Sequence, residues 1–366
     1  MPSPHAIAVW NTAFLGDAVL TLPLVRTLKT AFPEADIDFY VRAGLGTLFA
    51  AQPELRRVFE IQKGRQGIGA LRAQCQDIAA RRYDVWVDAH PSPRSALIAR
   101  FSGAPLRVGY SGLPRSLAFT HAVPRRFDEL DEIERLLQLT TPVFRHFNIQ
   151  LPGFSPDIPD DDLHWPCLAL AEEACGHAKA FFSSLPAGPC LGLHPGSRWA
   201  TKRWTPEGFA GIARKAAGIG ANVLVFSGSQ EETLIAREVI RLAGLEGSPR
   251  LFDLSGSLPL PHLAAFLRRL SVYVSNDSGP LHLAWCQRVP TAAIFGPTVR
   301  RLGFFPRGKS STVLEVPESE LACRPCSLHG PNACPQRHHR CMKDILPEEV
   351  WQHVQPYLGQ SGTSPE

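Results

Sequence analysis

The chain has 366 residues, enough for two domains that each bury a core of their own. A composition of 44% hydrophobic and 20% charged residues, without a long biased tract, excludes collagen, coiled coil and wholesale disorder. Lys+Arg 38 against Asp+Glu 34 leaves +4 at pH 7, spread along the chain rather than gathered in a basic arm, so nucleic acid is not an expected partner.

The apolar stretch from Ala6 to Val25 is interrupted by Asn11, Gly16, Asp17 and Pro23, and Met1 to His5 lacks the Lys or Arg of a signal peptide. The chain therefore reads as cytoplasmic. Short apolar runs then alternate with helix-length amphipathic segments, the pattern of βαβ units in a parallel sheet. Strands are predicted at Ala6–Trp10, Asp36–Val41, Val58–Ile61, Val85–Val87 and Arg107–Gly109, with a helix over Gly67–Arg82. The alternation repeats with strands at Cys190–His194, Asn222–Ser227, Leu251–Leu254, Val272–Ser275 and Thr291–Phe295. Between the halves, Leu151–Pro166 carries four prolines beside Asp160, Asp161 and Asp162, which is linker chemistry. The expected organisation is a first domain over 1–165, a second over 166–345, and a terminal segment over 346–366 whose helix, Pro347–Leu358, returns toward the first domain before a frayed tail. The fold class is α/β, two doubly wound parallel-sheet domains facing a central cleft, with ligands at the carboxyl ends of the strands.

Three strand-exit loops carry the polar residues. After the first strand, Gly16 permits a tight turn and Asp17 stands at a helix start, where it reads either as an ordinary cap or as a carboxylate presented to the cleft. No G-x-G-x-x-G occurs at this turn, so dinucleotide binding there is unsupported. Pro23, a turn further on, should kink the helix. The second loop runs from His194 to Trp204. Gly196 and Ser197 offer backbone N–H groups, while Arg198, Lys202 and Arg203 supply cations for a diphosphate; three cations so close should repel one another without an anion. The third loop, Ser275 to His282, ends a buried strand with a Ser278–Gly279 turn into an apolar helix, an anion site of backbone N–H groups and helix dipole. Its bland reading is a cap made by Asp277 or Ser278. After the strand that ends at Ser227, Glu231 and Glu232 are candidates to accept from ribose hydroxyls, or are first-turn acids favoured by the dipole.

Of nine cysteines, Cys75, Cys167, Cys175, Cys190 and Cys286 are scattered in apolar surroundings that suit reduced, buried thiols. Cys323, Cys326, Cys334 and Cys341 have a spacing that permits a structural zinc site, with plain reduced thiols as the equal alternative. They lie outside the three loops and read as a fold staple or local lid.

Together these segments resemble glycosyltransferase family 9, the ADP-heptose:lipopolysaccharide heptosyltransferases of Gram-negative bacteria. The resemblance runs through Leu15-Gly16-Asp17 with Thr21-Leu22-Pro23-Leu24, His194-Pro195-Gly196-Ser197 with Lys202-Arg203-Trp204, Asn276-Asp277-Ser278-Gly279-Pro280-Leu281-His282, and Phe295-Gly296-Pro297-Thr298. The cysteine run followed by Met342 is similar to one in the heptosyltransferase II branch. Ser278 keeps a hydroxyl where the family more often has Thr, and the segment Asp131-Glu132-Ile133-Glu134-Arg135 has Asp where His is frequent.

The resemblance implies a GT-B architecture and an inverting, metal-independent transfer of heptose from ADP-heptose to the lipopolysaccharide inner core. In it Asp17 is the general base, Lys202 the cation that neutralises the diphosphate, Ser197 and Arg198 its neighbours, Glu231 (or Glu232, one residue on) the ribose contact, and Asp277, Ser278, Gly279 and His282 the donor-binding turn. No cofactor or catalytic metal is expected. The acceptor is a glycolipid reached at the cytoplasmic face of the inner membrane, and Arg42, Arg94 and Arg107 suit its anionic groups. A nucleotide-sugar 2-epimerase of the same architecture and a non-catalytic sugar-nucleotide-binding protein are the competing readings.

Overall fold

The computed structural model describes residues 3–62, 64, 67–150 and 164–359, in two units that divide between Ala169 and Leu170. The expected linker residues 151–163 and the tail after Gly359 lie outside the described residues.

The first unit runs β1 (Ala6–Asn11), α1 (Leu15–Leu20), α2 (Leu22–Ala31), β2 (Asp36–Arg42), β3 (Arg57–Ile61), α3 (Ile68–Ala80), β4 (Val85–Asp88), α4 (Pro93–Phe101), β5 (Leu106–Tyr110), β6 (His121–Val123), α5 (Glu132–Gln138) and α6 (Thr140–Phe147). Its six strands are all parallel in the order β3-β2-β1-β4-β5-β6. The central strands β1 and β4 are covered on both faces, which is why they read as nearly unbroken apolar runs instead of alternating. Trp10, Tyr40 and Trp86 stack within this core at centroid separations of 5.3 to 5.7 Å. The buried Asp38 in β2 is satisfied by the Tyr83 hydroxyl at 2.6 Å and by two bonds from Arg56, so its charge costs little there. Pro23 does more than kink a helix. It lacks the N–H that would continue the hydrogen-bond ladder, and the helix breaks at Thr21 into α1 and α2, with Pro23 tolerated in the first turn of α2.

The second unit runs α7 (Glu172–Ser183), β7 (Cys190–His194), α8 (Pro206–Gly218), β8 (Asn222–Ser227), α9 (Gln230–Ala243), β9 (Leu251–Ser255), α10 (Leu260–Leu267), β10 (Val272–Asn276), α11 (Gly279–Cys286), β11 (Thr291–Phe295), β12 (Ser311–Glu315), α12 (Arg340–Lys343) and α13 (Pro347–Leu358). Its parallel order, β12-β11-β10-β7-β8-β9, repeats that of the first sheet strand for strand. The helix α13, read from sequence as returning toward the first domain, buries Val350, Val354 and Leu358 in the core of the second unit. Among the described residues no helix is long and apolar enough to cross a membrane.

Each sheet reverses its winding once, between β1 and β4 in the first unit and between β7 and β10 in the second. Loops diverge at such a point and leave a crevice beyond the carboxyl ends of the strands, where ligands bind in doubly wound folds. The turn that carries Asp17 follows β1; the loops that carry Lys202 and Asp277 follow β7 and β10.

Candidate active site

In the second unit the polar loops converge on Asp277. Its Oδ2 accepts from Lys202 Nζ at 2.6 Å and from Thr298 Oγ1 at 2.7 Å. Burial pushes this carboxyl up, but the Lys202 ammonium and the two donated bonds override it and hold its pKa below the ordinary carboxylate value. His282, one turn into α11, is buried beside the pair. Burial, helped by the Lys202 charge and opposed by Asp277, lowers its pKa to about 4, so the imidazole is neutral at physiological pH. Its Nδ1 has no hydrogen-bond partner.

The loop after β7 is held by Asn276, the last residue of β10. Its side-chain amide donates to the Pro195 and Gly196 carbonyls at 2.8 and 3.1 Å, and its Oδ1 accepts from the Trp204 N–H at 2.9 Å. One amide thus fixes both ends of the segment that carries Lys202. The three cations of that segment do not crowd one another. Lys202 turns inward to Asp277, Arg203 donates to the Ser197 carbonyl at 2.8 Å and pairs with Glu231 at 2.7 Å, and Arg198 is exposed with its guanidinium 5.9 Å from the Trp199 ring centre. The protein's own acids relieve the repulsion that the sequence left open. Ser197 itself is buried.

Ser278 is the N-cap residue of α11, yet its side chain makes no capping bond; its hydroxyl lies 3.3 Å from that of Ser275. Asp277 is engaged by Lys202 and Thr298. The head of α11 is therefore not capped by either of the two side chains that a purely structural turn would use, and Gly279 opens the helix without a side chain.

The two glutamates after β8 are distinct. Glu231 is largely exposed and pairs with Arg203. Glu232 is nearly enclosed: Oε2 accepts from the Gly228 N–H at 2.8 Å and lies 3.6 Å from His194 Nε2. A Cβ at Gly196 would meet Glu232 Cδ at 2.5 Å, so glycine is required for the loop to lie against this carboxylate. Burial works against the charge of Glu232, and His194, the Gly228 N–H and Arg203 together hold its pKa below the ordinary value. The structure thus distinguishes Glu232 as the acid packed under the His194–Ser197 turn. Exchange of Glu232 for Gln is expected to weaken nucleotide binding well beyond the effect of Glu231→Gln, measured by calorimetric titration with ADP.

In the first unit Asp17 is the third residue of α1, and Phe14 is the N-cap. Asp17 Oδ2 accepts from the Phe14 N–H at 3.1 Å. Burial and the nearby Glu132 charge raise its pKa to about 6, against the opposing pull of that N–H and of Arg125. The neighbourhood is built from a segment that sequence reasoning singled out only for a departure from the family. Glu132 accepts two bonds from Arg125, at 2.8 and 2.9 Å, and one from the buried Arg135 at 2.8 Å. Both guanidiniums lie over the Phe127 ring.

The cysteine-rich segment is no detached staple. All nine cysteines are free; Cys190, Cys286 and Cys341 are buried, while Cys167, expected in apolar surroundings, is exposed. Among the described residues no group of three or more His, Cys, Asp or Glu side chains is arranged to hold a metal ion. The segment instead backs the site. Arg324 is buried and donates to the carbonyls of Gly296, Val316, Phe295 and Thr298 and to Glu315, and Cys326 N–H bonds the Pro297 carbonyl at 2.8 Å, so the turn that delivers Thr298 to Asp277 is braced from behind. His339 Nε2 lies 2.7 Å from the Thr201 carbonyl, beside Lys202. Nothing in the spacing of these residues foretold that role.

Two sheets of identical winding, each with its polar loops at the reversal, are the architecture of the GT-B glycosyltransferases. The chain belongs to glycosyltransferase family 9 (heptosyltransferase), whose family model matches residues 71–329. Lipopolysaccharide heptosyltransferase 2 of Salmonella typhimurium is 26% identical over 360 residues, spanning 97% of this chain and 99% of that protein. The fold is shared with a crystal structure of a glycosyl transferase family 9 protein from Veillonella parvula (TM-score 0.82, 22% identity, 97% of each chain). It is shared too with the E. coli ADP-heptose lps heptosyltransferase II (TM-score 0.76, 23% identity, 97% and 98% of the two chains).

Proposed function

We propose that this glycosyltransferase moves heptose from ADP-heptose to the inner core of a lipopolysaccharide, with inversion and without a divalent metal. The observation that carries the reading is the buried cluster of Lys202, Asp277, Thr298 and neutral His282 at the uncapped head of α11, a ready anion site. In this reading the donor diphosphate lies against Lys202 and the head of α11, Glu232 accepts from the ribose, and Arg198 and Ser197 flank the phosphates. Asp17 takes the proton of the acceptor hydroxyl as its oxygen bonds the anomeric carbon, and the bond from that carbon to the phosphate oxygen breaks with its electron pair leaving on ADP. The relatives named above support the donor and the acceptor class, and a glycolipid acceptor makes contact with a membrane surface part of the same proposal.

Incubation with ADP-heptose, with and without heptose-deficient lipopolysaccharide, tests this directly. ADP is expected only when both substrates are present. Turnover of the nucleotide sugar without acceptor would instead fit the epimerase reading. Because a lysine and a helix terminus carry the leaving group here, EDTA is expected to leave the rate unchanged; loss of activity restored by magnesium would refute the metal-free assignment.

A further inference from the structure

Residues 89–127 hold six arginines, Arg94, Arg100, Arg107, Arg115, Arg125 and Arg126, and not one Asp or Glu. Arg125 and Arg126 pair with Glu132 and Glu129, outside that stretch. Arg107 and Arg115 donate to the backbone carbonyls of Ala118, Ala104 and Pro91, which leave their charge uncancelled, and Arg100 lies close enough to Arg107 to lower its pKa further after burial has done so. The same stretch gathers apolar surface. Among the described residues, four of the five exposed large apolar side chains of the first unit fall within it, Leu97, Phe101, Leu113 and Leu117, and the fifth is Ile68.

The outward face of α4 is Pro93, Leu97, Arg100 and Phe101, at helical spacing, while Ser95, Ala96, Ile98 and Ala99 face the core. A helix on a soluble surface ordinarily turns charged residues outward; this one turns a leucine, a proline and a phenylalanine that is 56% exposed. The short turn at Arg115–Ala118 packs on α4 and adds Leu117 at 76% exposure, with Leu113 at 83% just before it. Arg115 ties this loop to the start of α4 through Pro91, and both segments leave the same edge of the sheet as the turn that carries Asp17.

We infer that α4 and the 111–120 loop form a docking surface for an anionic lipid bilayer, in which Leu97, Phe101, Leu113 and Leu117 enter the headgroup boundary while the arginines meet lipid phosphates. Apolar area beside uncancelled positive charge is the combination that binds an interface and not a neutral protein groove. The inference deepens the glycolipid-acceptor reading and rests on it for its purpose, since a transferase seated this way meets its acceptor at the surface that holds it.

The test is co-sedimentation of the full chain with vesicles of phosphatidylglycerol and phosphatidylethanolamine, against phosphatidylcholine alone. Binding is expected only to the anionic vesicles, weakened by salt, and reduced about tenfold or more in the double variant Phe101→Ser, Leu117→Ser. Arg100→Gln should lower it further, with the melting temperature unchanged because all three side chains are exposed. Transfer to a lipid-free, water-soluble core oligosaccharide should be the same in every variant. Absent binding, equal binding by variant and wild type, or a dimer lost in the variant without vesicle binding would each overturn the docking surface, while failed transfer to the soluble acceptor would overturn the acceptor reading alone.

Discussion

Asp17→Asn is expected to cut kcat by about 10²–10⁴-fold while leaving the affinity for ADP close to wild type, the signature of a lost general base. The amide keeps the shape of the carboxyl and an oxygen for the Phe14 N–H, so the start of α1 has no reason to move. In the wild type, burial and the charge of Glu132 raise this carboxyl to about 6. A base must be unprotonated to act, so kcat/KM should climb about tenfold per unit up to roughly that pH and level off above it. Stability runs the other way. A carboxyl that holds its proton more tightly when folded contributes fully below its unfolded value, and that contribution is lost as pH rises through about 6. Asn carries no such loss, so the variant should melt at the same or a higher temperature than the wild type at neutral pH. An inactive variant with a lowered melting temperature would instead make Asp17 a structural residue, and a near wild-type rate would remove it from the chemistry.

Lys202→Ala is expected to combine a catalytic and a structural defect. In the proposed role of Lys202 at the departing diphosphate, loss of one preorganised charge should lower turnover by about 10²–10³-fold. The same change strands Asp277 in a buried position, and removal of one partner from such a pair costs about 3–5 kcal/mol. The two effects separate by pH and by a second substitution. In the wild type the lowered pKa of Asp277 contributes stability above the ordinary carboxylate range that is lost as pH falls through the folded value. Without Lys202, burial dominates and the pKa of Asp277 rises, so stability should now fall as pH is raised from acid toward neutral. Lys202→Ala with Asp277→Asn should regain most of the lost stability, because the stranded charge is gone, and none of the activity. Melting curves from pH 3 to 8 beside turnover assays check both halves; a double variant as unstable as Lys202→Ala would refute the stranded-charge account.

The sequence showed the interior strands and one edge of each sheet, and hid the other edge. The five strands expected in each half are all present: the interior ones are covered on both faces and must be apolar along their length, and the edge strands β3 and β9 still carry Val58, Phe59 and Ile61 and Leu251, Phe252 and Leu254. The opposite edge strands, β6 and β12, went unseen. His121–Val123 is three residues long with two exposed, and Ser311–Glu315 buries only Leu314, so neither carries an apolar run. An edge strand without an apolar run is recruited by its neighbour's free backbone groups, which its own side chains do not report. Pro23, by contrast, was legible from its chemistry alone, although it divides the helix and does not merely bend it.

At the site, the residue types and their order after β1, β7 and β10 came from the sequence by itself, since a strand followed by Gly, Ser and a helix start states its own geometry. Which acid meets which base did not. The inward turn of Lys202 to Asp277, the division of labour between Glu231 and Glu232, the clamp made by Asn276 and the brace made by Arg324 join residues up to 81 positions apart. Those pairings were decided only when the parallel sheet brought the ends of β7, β8, β10 and β11 side by side, because a charge in a low-dielectric crevice is fixed by its neighbours in space and not by its neighbours in the chain.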